Sequence, residues 1–75
     1  MQLHEKIKAI RKTKGIGQME LAKKLNSTVQ SFSLKENGKR PITTNELEII
    51  SDALGVSPSI FFEKDFNVKL KEIFA

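Results

Sequence analysis

The chain has 75 residues, no Cys and one His, with 13 Lys/Arg against 9 Asp/Glu for a net charge of +4. A chain this short has room for one core, buries only about 60% of its unfolded surface, and without Cys can use neither disulfides nor thiolate-held zinc. His4 alone leaves no metal-ligand pair, so no metal and no cofactor are expected, and the composition disfavours most enzymes.

Leu3, Ile7 and Ile10 fall at i, i+4 and i+7, the spacing of one helix face, with Lys6, Lys8, Arg11 and Lys12 around the rest. Lys14-Gly15 ends this helix, a cation suiting the negative end of the helix dipole and Gly the left-handed position that follows. Leu21, Ala22 and Leu25 mark a short second helix over 18–25, broken at Asn26-Ser27-Thr28. Asn tolerates positive φ better than any other non-Gly residue, and Thr28 is placed to N-cap a third helix over 29–36, which Asn37-Gly38 stops. Thr43-Thr44-Asn45-Glu46 fits a capping box that opens a fourth helix carrying Leu47, Ile50 and Leu54 and closed by Gly55. Ser57-Pro58 reads as N-cap and first-turn proline of a short fifth helix containing Ile60 and Phe61. The last segment, 65–75, admits two readings. Phe66, Leu70, Ile73 and Phe74 are spaced for a helix capped by Asp65, whereas Phe66, Val68 and Leu70 alternate with polar residues as in a strand; helix is favoured.

Charge divides the chain. Residues 1–41 carry ten Lys/Arg against three acids, and residues 42–75 three Lys against six acids, so the halves have opposite sign. A basic front favours a polyanionic partner. Four of the five Phe lie in the acidic half. The longest apolar runs, such as Ile60-Phe61-Phe62, are far too short to span a bilayer, so a cytoplasmic protein with no membrane partner is expected.

Two short helices joined by a three-residue break need a small side chain where they cross and a residue of positive φ in the turn; Ala22 and Asn26 supply these. Such a unit presents its second helix to a major groove about 12 Å wide, here through Val29, Gln30, Ser33 and Leu34, with Phe32 turned inward.

The residues that meet these demands resemble the helix-turn-helix domain of the Cro and phage-repressor (Xre-like) type. The resemblance rests on Arg11, on Gly15-Ile16-Gly17-Gln18-Met19-Glu20-Leu21-Ala22-Lys23-Lys24-Leu25, on Gln30-Ser31-Phe32, on Glu36-Asn37-Gly38-Lys39-Arg40-Pro41 and on Ala53-Leu54-Gly55-Val56-Ser57. It implies an all-α, compact five-helix repressor-like domain over 3–63, with the helix-turn-helix at 18–37 formed by helices 2 and 3 and a C-terminal tail over 64–75. It further implies binding of double-stranded DNA: Gln18 at a phosphate and an end base, Thr28, Val29, Gln30, Ser31, Ser33 and Leu34 on the groove-facing helix, and Asn37, Lys39 and Arg40 holding a phosphate. Gln30 is the expected bidentate base reader. Arg11 and Glu36 occupy positions that form an internal ion pair in the family. Lys6, Lys8, Lys12 and Lys14 are expected to be solvated and His4 an exposed bystander.

The sequence departs from the family pattern at Lys35, where a core apolar residue is usual, with Leu34 at a normally polar position. Either Lys35 buries its stem and extends its ammonium outward, or the third helix ends early. One such helix reads about four or five base pairs, so the resemblance also implies a homodimer on a two-fold site. Phe61, Phe62, Phe66, Leu70, Ile73 and Phe74 are the candidate interface. The expected function is a sequence-specific transcriptional regulator, most simply a repressor. The alternative is a protein-interaction module, such as an antitoxin binding a partner protein through the Phe-rich C-terminal part.

Overall fold

Several helices of the chain begin or end on a signal a few residues long. The computed structural model describes the backbone of residues 1–74 and the side chains of residues 1–72. It contains α1 (Leu3–Thr13), α2 (Gln18–Lys24), α3 (Val29–Glu36), α4 (Thr44–Leu54), a 3-10 helix (Pro58–Phe62) and α5 (Phe66–Phe74). The protein is all-α, with no strand among the described residues.

The starts of α3 and α4 are fixed by side-chain oxygens, whereas α2 starts at Gly17 without a side-chain cap. Thr28 Oγ1 accepts the Ser31 N–H at 3.1 Å, and Thr43 Oγ1 accepts the Glu46 N–H at 3.1 Å while Glu46 Oε1 accepts the Thr43 N–H at 3.0 Å. Stops are fixed by backbone. The Ser27 N–H reaches back to the Ala22 carbonyl at 2.9 Å across Asn26, whose φ is +53°, and the same paired closure recurs at the ends of α1, α3 and α4. The α2–α3 break is thus a helix C-cap running directly into the Thr28 N-cap.

The core forms where the apolar stripes converge. Ile7 and Ile10 of α1, Leu21 and Ala22 of α2, and Phe32 of α3 meet Ile50 and Leu54 of α4, all at most 1% exposed. Ala22 lets α2 and α3 approach closely. Ser51, also buried, donates its hydroxyl to the Leu47 carbonyl at 2.7 Å, so this polar group costs the core little.

In the C-terminal half one expectation changes and another is met. Residues 58–62 wind as a 3-10 helix, with i to i+3 bonds from Ile60 N–H to Ser57 O and from Glu63 N–H to Ile60 O. This tight winding turns the adjacent Ile60 and Phe61 both into the core. The tail is helical: the Asp65 carbonyl accepts the first helical bond from Lys69, and Phe66 and Leu70, four apart, turn toward the core. Lys6 ties this half to α1 by donating to the Phe61 carbonyl at 2.8 Å with its ammonium 5.4 Å from the centre of the Phe66 ring, so it is not merely solvated.

Candidate nucleic-acid interface

α3 is held from beneath by two buried side chains, Phe32 and Glu36, both 1% exposed. Phe32 is apolar and needs only contact. A buried carboxylate needs partners, and Glu36 has three donors. Arg11 gives Nε to Oε2 at 2.7 Å and Nη2 to Oε1 at 2.9 Å, a bidentate pair, while its Nη1 reaches the Ile16 carbonyl at 2.8 Å. Gln18 Nε2 donates to Oε1 at 2.9 Å. Burial opposes ionisation of Glu36, but the hydrogen bonds from Arg11 and Gln18 and the charges of Arg11 and Lys8 together outweigh it, holding the carboxyl below its ordinary value. Arg11, Gln18 and Glu36 therefore lock α1, the α1–α2 loop at Ile16 and the start of α2 to the last turn of α3.

Gln18 was legible as a polar residue at the start of α2, but its bond to Glu36 was not, because the two lie 18 residues apart with no local pattern linking them. The bond leaves its second N–H and its carbonyl oxygen for other contacts.

The outer side of α3 carries the remaining residues. Gln30 is exposed, Val29 packs on the core edge, and Ser31, Ser33 and Leu34 are half-buried. Asn37 Nδ2 donates to Ser33 Oγ at 3.3 Å and Arg40 Nη1 to Ser31 Oγ at 3.4 Å, so the loop after α3 folds back along the same helix. Asn37, Lys39 and Arg40 are exposed, as is the N-cap Thr28. α3 runs its full length through Glu36, and Lys35 resolves the departure noted above: its ammonium pairs with Glu46 Oε2 in the first turn of α4. That bond, with the Thr43 N–H on Oε1, keeps the Glu46 carboxyl below its ordinary value.

Two residues set aside in the sequence also touch this surface. Lys8 is half-buried, its Nζ 3.4 Å from Asn37 Oδ1. His4 is half-buried as well, its imidazole over Gly38. No short-range signal links either to the loop, because each contact joins the start of α1 to the end of α3. Gly38 has φ +76°, and a Cβ there would lie 2.7 Å from the His4 ring. Gly38→Ala is expected to cost about 1–2 kcal/mol from the left-handed backbone alone, read as a lower urea midpoint; an unchanged midpoint would show that loop and ring can both yield.

A protein-family model described as Helix-turn-helix matches residues 7–61, more than half of the chain. The protein belongs to the Cro/C1-type helix-turn-helix family. Comparison with curated proteins and with solved structures gave no match. Membership makes the chain a DNA-binding regulatory protein, and α2 and α3 are the two helices of its helix-turn-helix.

The family match ends at Phe61, and the C-terminal candidates beyond or at that boundary divide. Phe61 at 2% and Phe66 at 4% exposure are core residues of the domain, which corrects their assignment as interface candidates: a ring packed under its own chain cannot also face another. Leu70 is half-buried against the core, whereas Phe62 is 71% exposed, with Val68 nearby in sequence at 54%. The side chains of Ile73 and Phe74 lie outside the described residues. Among the described residues no group of three His, Asp or Glu could hold a metal ion, and no helix is long and apolar enough to cross a membrane.

Proposed function

We propose that this helix-turn-helix protein is a sequence-specific transcriptional repressor that binds a two-fold operator as a homodimer. The observation that carries the reading is the exposure of Gln30 on the first turn of an α3 that is locked from below by Phe32 and Glu36. An amide carried on an anchored helix can pair with adenine N6 and N7 at once, and a fixed helix frame favours base discrimination. Thr28, Val29, Ser31, Ser33 and Leu34 then line the groove around it, Val29 offering a methyl surface to thymine. Gln18, Asn37, Lys39 and Arg40 hold the backbone on either side.

The dimer reading is supported by the few base pairs that a single α3 reaches, since a two-fold pair on half-sites about 34–36 Å apart doubles the sequence read. Among the described residues Phe62 is the exposed aromatic left for such an interface, with Leu70 beside it in the C-terminal part. The same exposed Phe62 and Val68 favour a second reading, in which this face takes a partner protein as an antitoxin does.

Selection of bound DNA from a random pool tests both readings. A two-fold enriched site supports the operator-binding dimer, and no enrichment from a folded protein overturns it in favour of the second. Gln30→Ala is expected to weaken the enriched site by about 1–3 kcal/mol and relax one base position. An unchanged preferred sequence would remove Gln30 as the reader.

A further inference from the structure

A groove of about 410 Å³ runs between α1 and the end of α3, and its walls include His4, Lys8 and Lys12 on one side and Asn37 on the other. The three α1 residues fall at i, i+4 and i+8, one ridge of the helix, and span about 12 Å at 1.5 Å per residue. Two acids share the groove. Glu36 is already satisfied by Arg11 and Gln18, and Glu5 accepts the Gln2 N–H at 2.9 Å, so the two lysines outnumber the one carboxylate that no cation neutralises. His4 also lines a second crevice of about 330 Å³ with Gly38, Lys39 and Arg40. Its ring therefore joins the two, and the basic surface continues from the loop after α3 onto α1. A single anion would fill one hollow. A continuous track of this length suits a chain of anions, and one DNA strand presents a charge every 3.4 Å of helix axis.

We propose that His4, Lys8 and Lys12 form a phosphate track on α1 that carries the DNA backbone beyond the helix-turn-helix. The inference rests on the reading of Lys39 and Arg40 as phosphate-holding. Lys8 is its pivot, since its ammonium lies against Asn37, the first residue of that loop, and still has donors to give. The track adds affinity without base preference.

The test is the salt dependence of binding to a random-sequence duplex, followed by fluorescence anisotropy over a KCl series. Each lost phosphate contact reduces the log–log slope by about 0.9. Lys8→Gln/Lys12→Gln is expected to flatten it by about 1.8, and Lys12→Gln alone, which touches neither Glu36 nor Asn37, by about 0.9. Lys64→Gln/Lys71→Gln removes the same charge from the C-terminal part and should flatten it by less than half as much. Equal flattening by the two pairs would mean only a long-range field and overturn the track; an unchanged slope in folded Lys12→Gln would do the same. Lys39→Gln/Arg40→Gln separates this proposal from the reading beneath it: if that variant leaves the slope unchanged, the loop assignment fails, whereas flattening by the loop variant without flattening by the α1 variants sinks the track alone. The source of the anion is read at the ring resonances of His4, the one histidine. They are expected to shift with duplex and to respond to inorganic phosphate no more than to chloride at equal ionic strength. A saturating response to inorganic phosphate, with no change of slope in the α1 variants, would make this a free-anion site and overturn the proposal.

Discussion

Glu36→Ala is expected to destabilise the domain by about 3–5 kcal/mol, the usual consequence of leaving half of a buried ion pair behind. The Arg11 side chain is 10% exposed, and without Glu36 its Nε and Nη2 lose their acceptor while only Nη1 keeps one, the Ile16 carbonyl. Gln18 loses its acceptor in the same step. Small domains are commonly stable by only about 5 kcal/mol or a little more, so the variant should be largely unfolded or close to it in urea titrations at 25 °C. A loss under about 1 kcal/mol would show that water reaches and satisfies the guanidinium. Arg11→Met combined with Glu36→Leu should cost less than either single change, because neither charge is then stranded. The pair also sets the acid limit. Glu36 and Glu46 both have carboxyls held below the ordinary value of 4.5, so their stabilisation is complete above that pH. As pH falls below it, the unfolded chain takes up protons first, and the stabilisation drains away until the folded carboxyls are protonated too. Thermal midpoints should be level from neutrality to about pH 5 and fall below it; a midpoint that rose on acidification would contradict both pairs.

Phe32→Ala is the second large effect, at about 3–5 kcal/mol. Phe32 is the one fully buried apolar side chain on α3, and the only other buried residue there is the charged Glu36. Helices of this length have little stability of their own and depend on the face they bury, and the half-buried Val29 at the core edge is a much smaller apolar contact than the one lost. Phe62→Ala, removing a ring that is 71% exposed, should stay within about 0.5 kcal/mol in the same urea series. A Phe32→Ala midpoint as high as that of Phe62→Ala would mean that α3 is held by its polar network alone.

The parts of this fold that could be read in advance are those written in a few adjacent residues. Thr43 and Glu46 set the start of α4, Thr28 that of α3, and Asn26 or Gly55 the stops, because capping bonds reach only three to five residues along the chain. The segment after Gly55 was harder for a physical reason. Phe61, Phe62 and Phe66 are equally apolar, and which two turn inward depends on where α1 and α4 stand when the chain returns, which no local spacing records. The same limit applies to polar residues. Arg11 and Glu36 came from the family pattern, whereas the third partner Gln18, the Lys35–Glu46 bond and the approach of Lys8 and His4 to the loop are products of assembly. Lys35 shows the point most directly: the helix runs on through Glu36, and the ammonium pairs with a carboxylate that also caps another helix.

That double use of Glu46 has a mechanical consequence. One oxygen closes the cap of α4 and the other holds the last turn of α3, so residues 35–46 are a ring fastened by a non-covalent buckle. Its effect is on slack: the stretch bearing Lys39 and Arg40 is confined at both ends before any ligand arrives, and the proposed closure around a backbone phosphate would then require side-chain rotation rather than capture of a wandering loop.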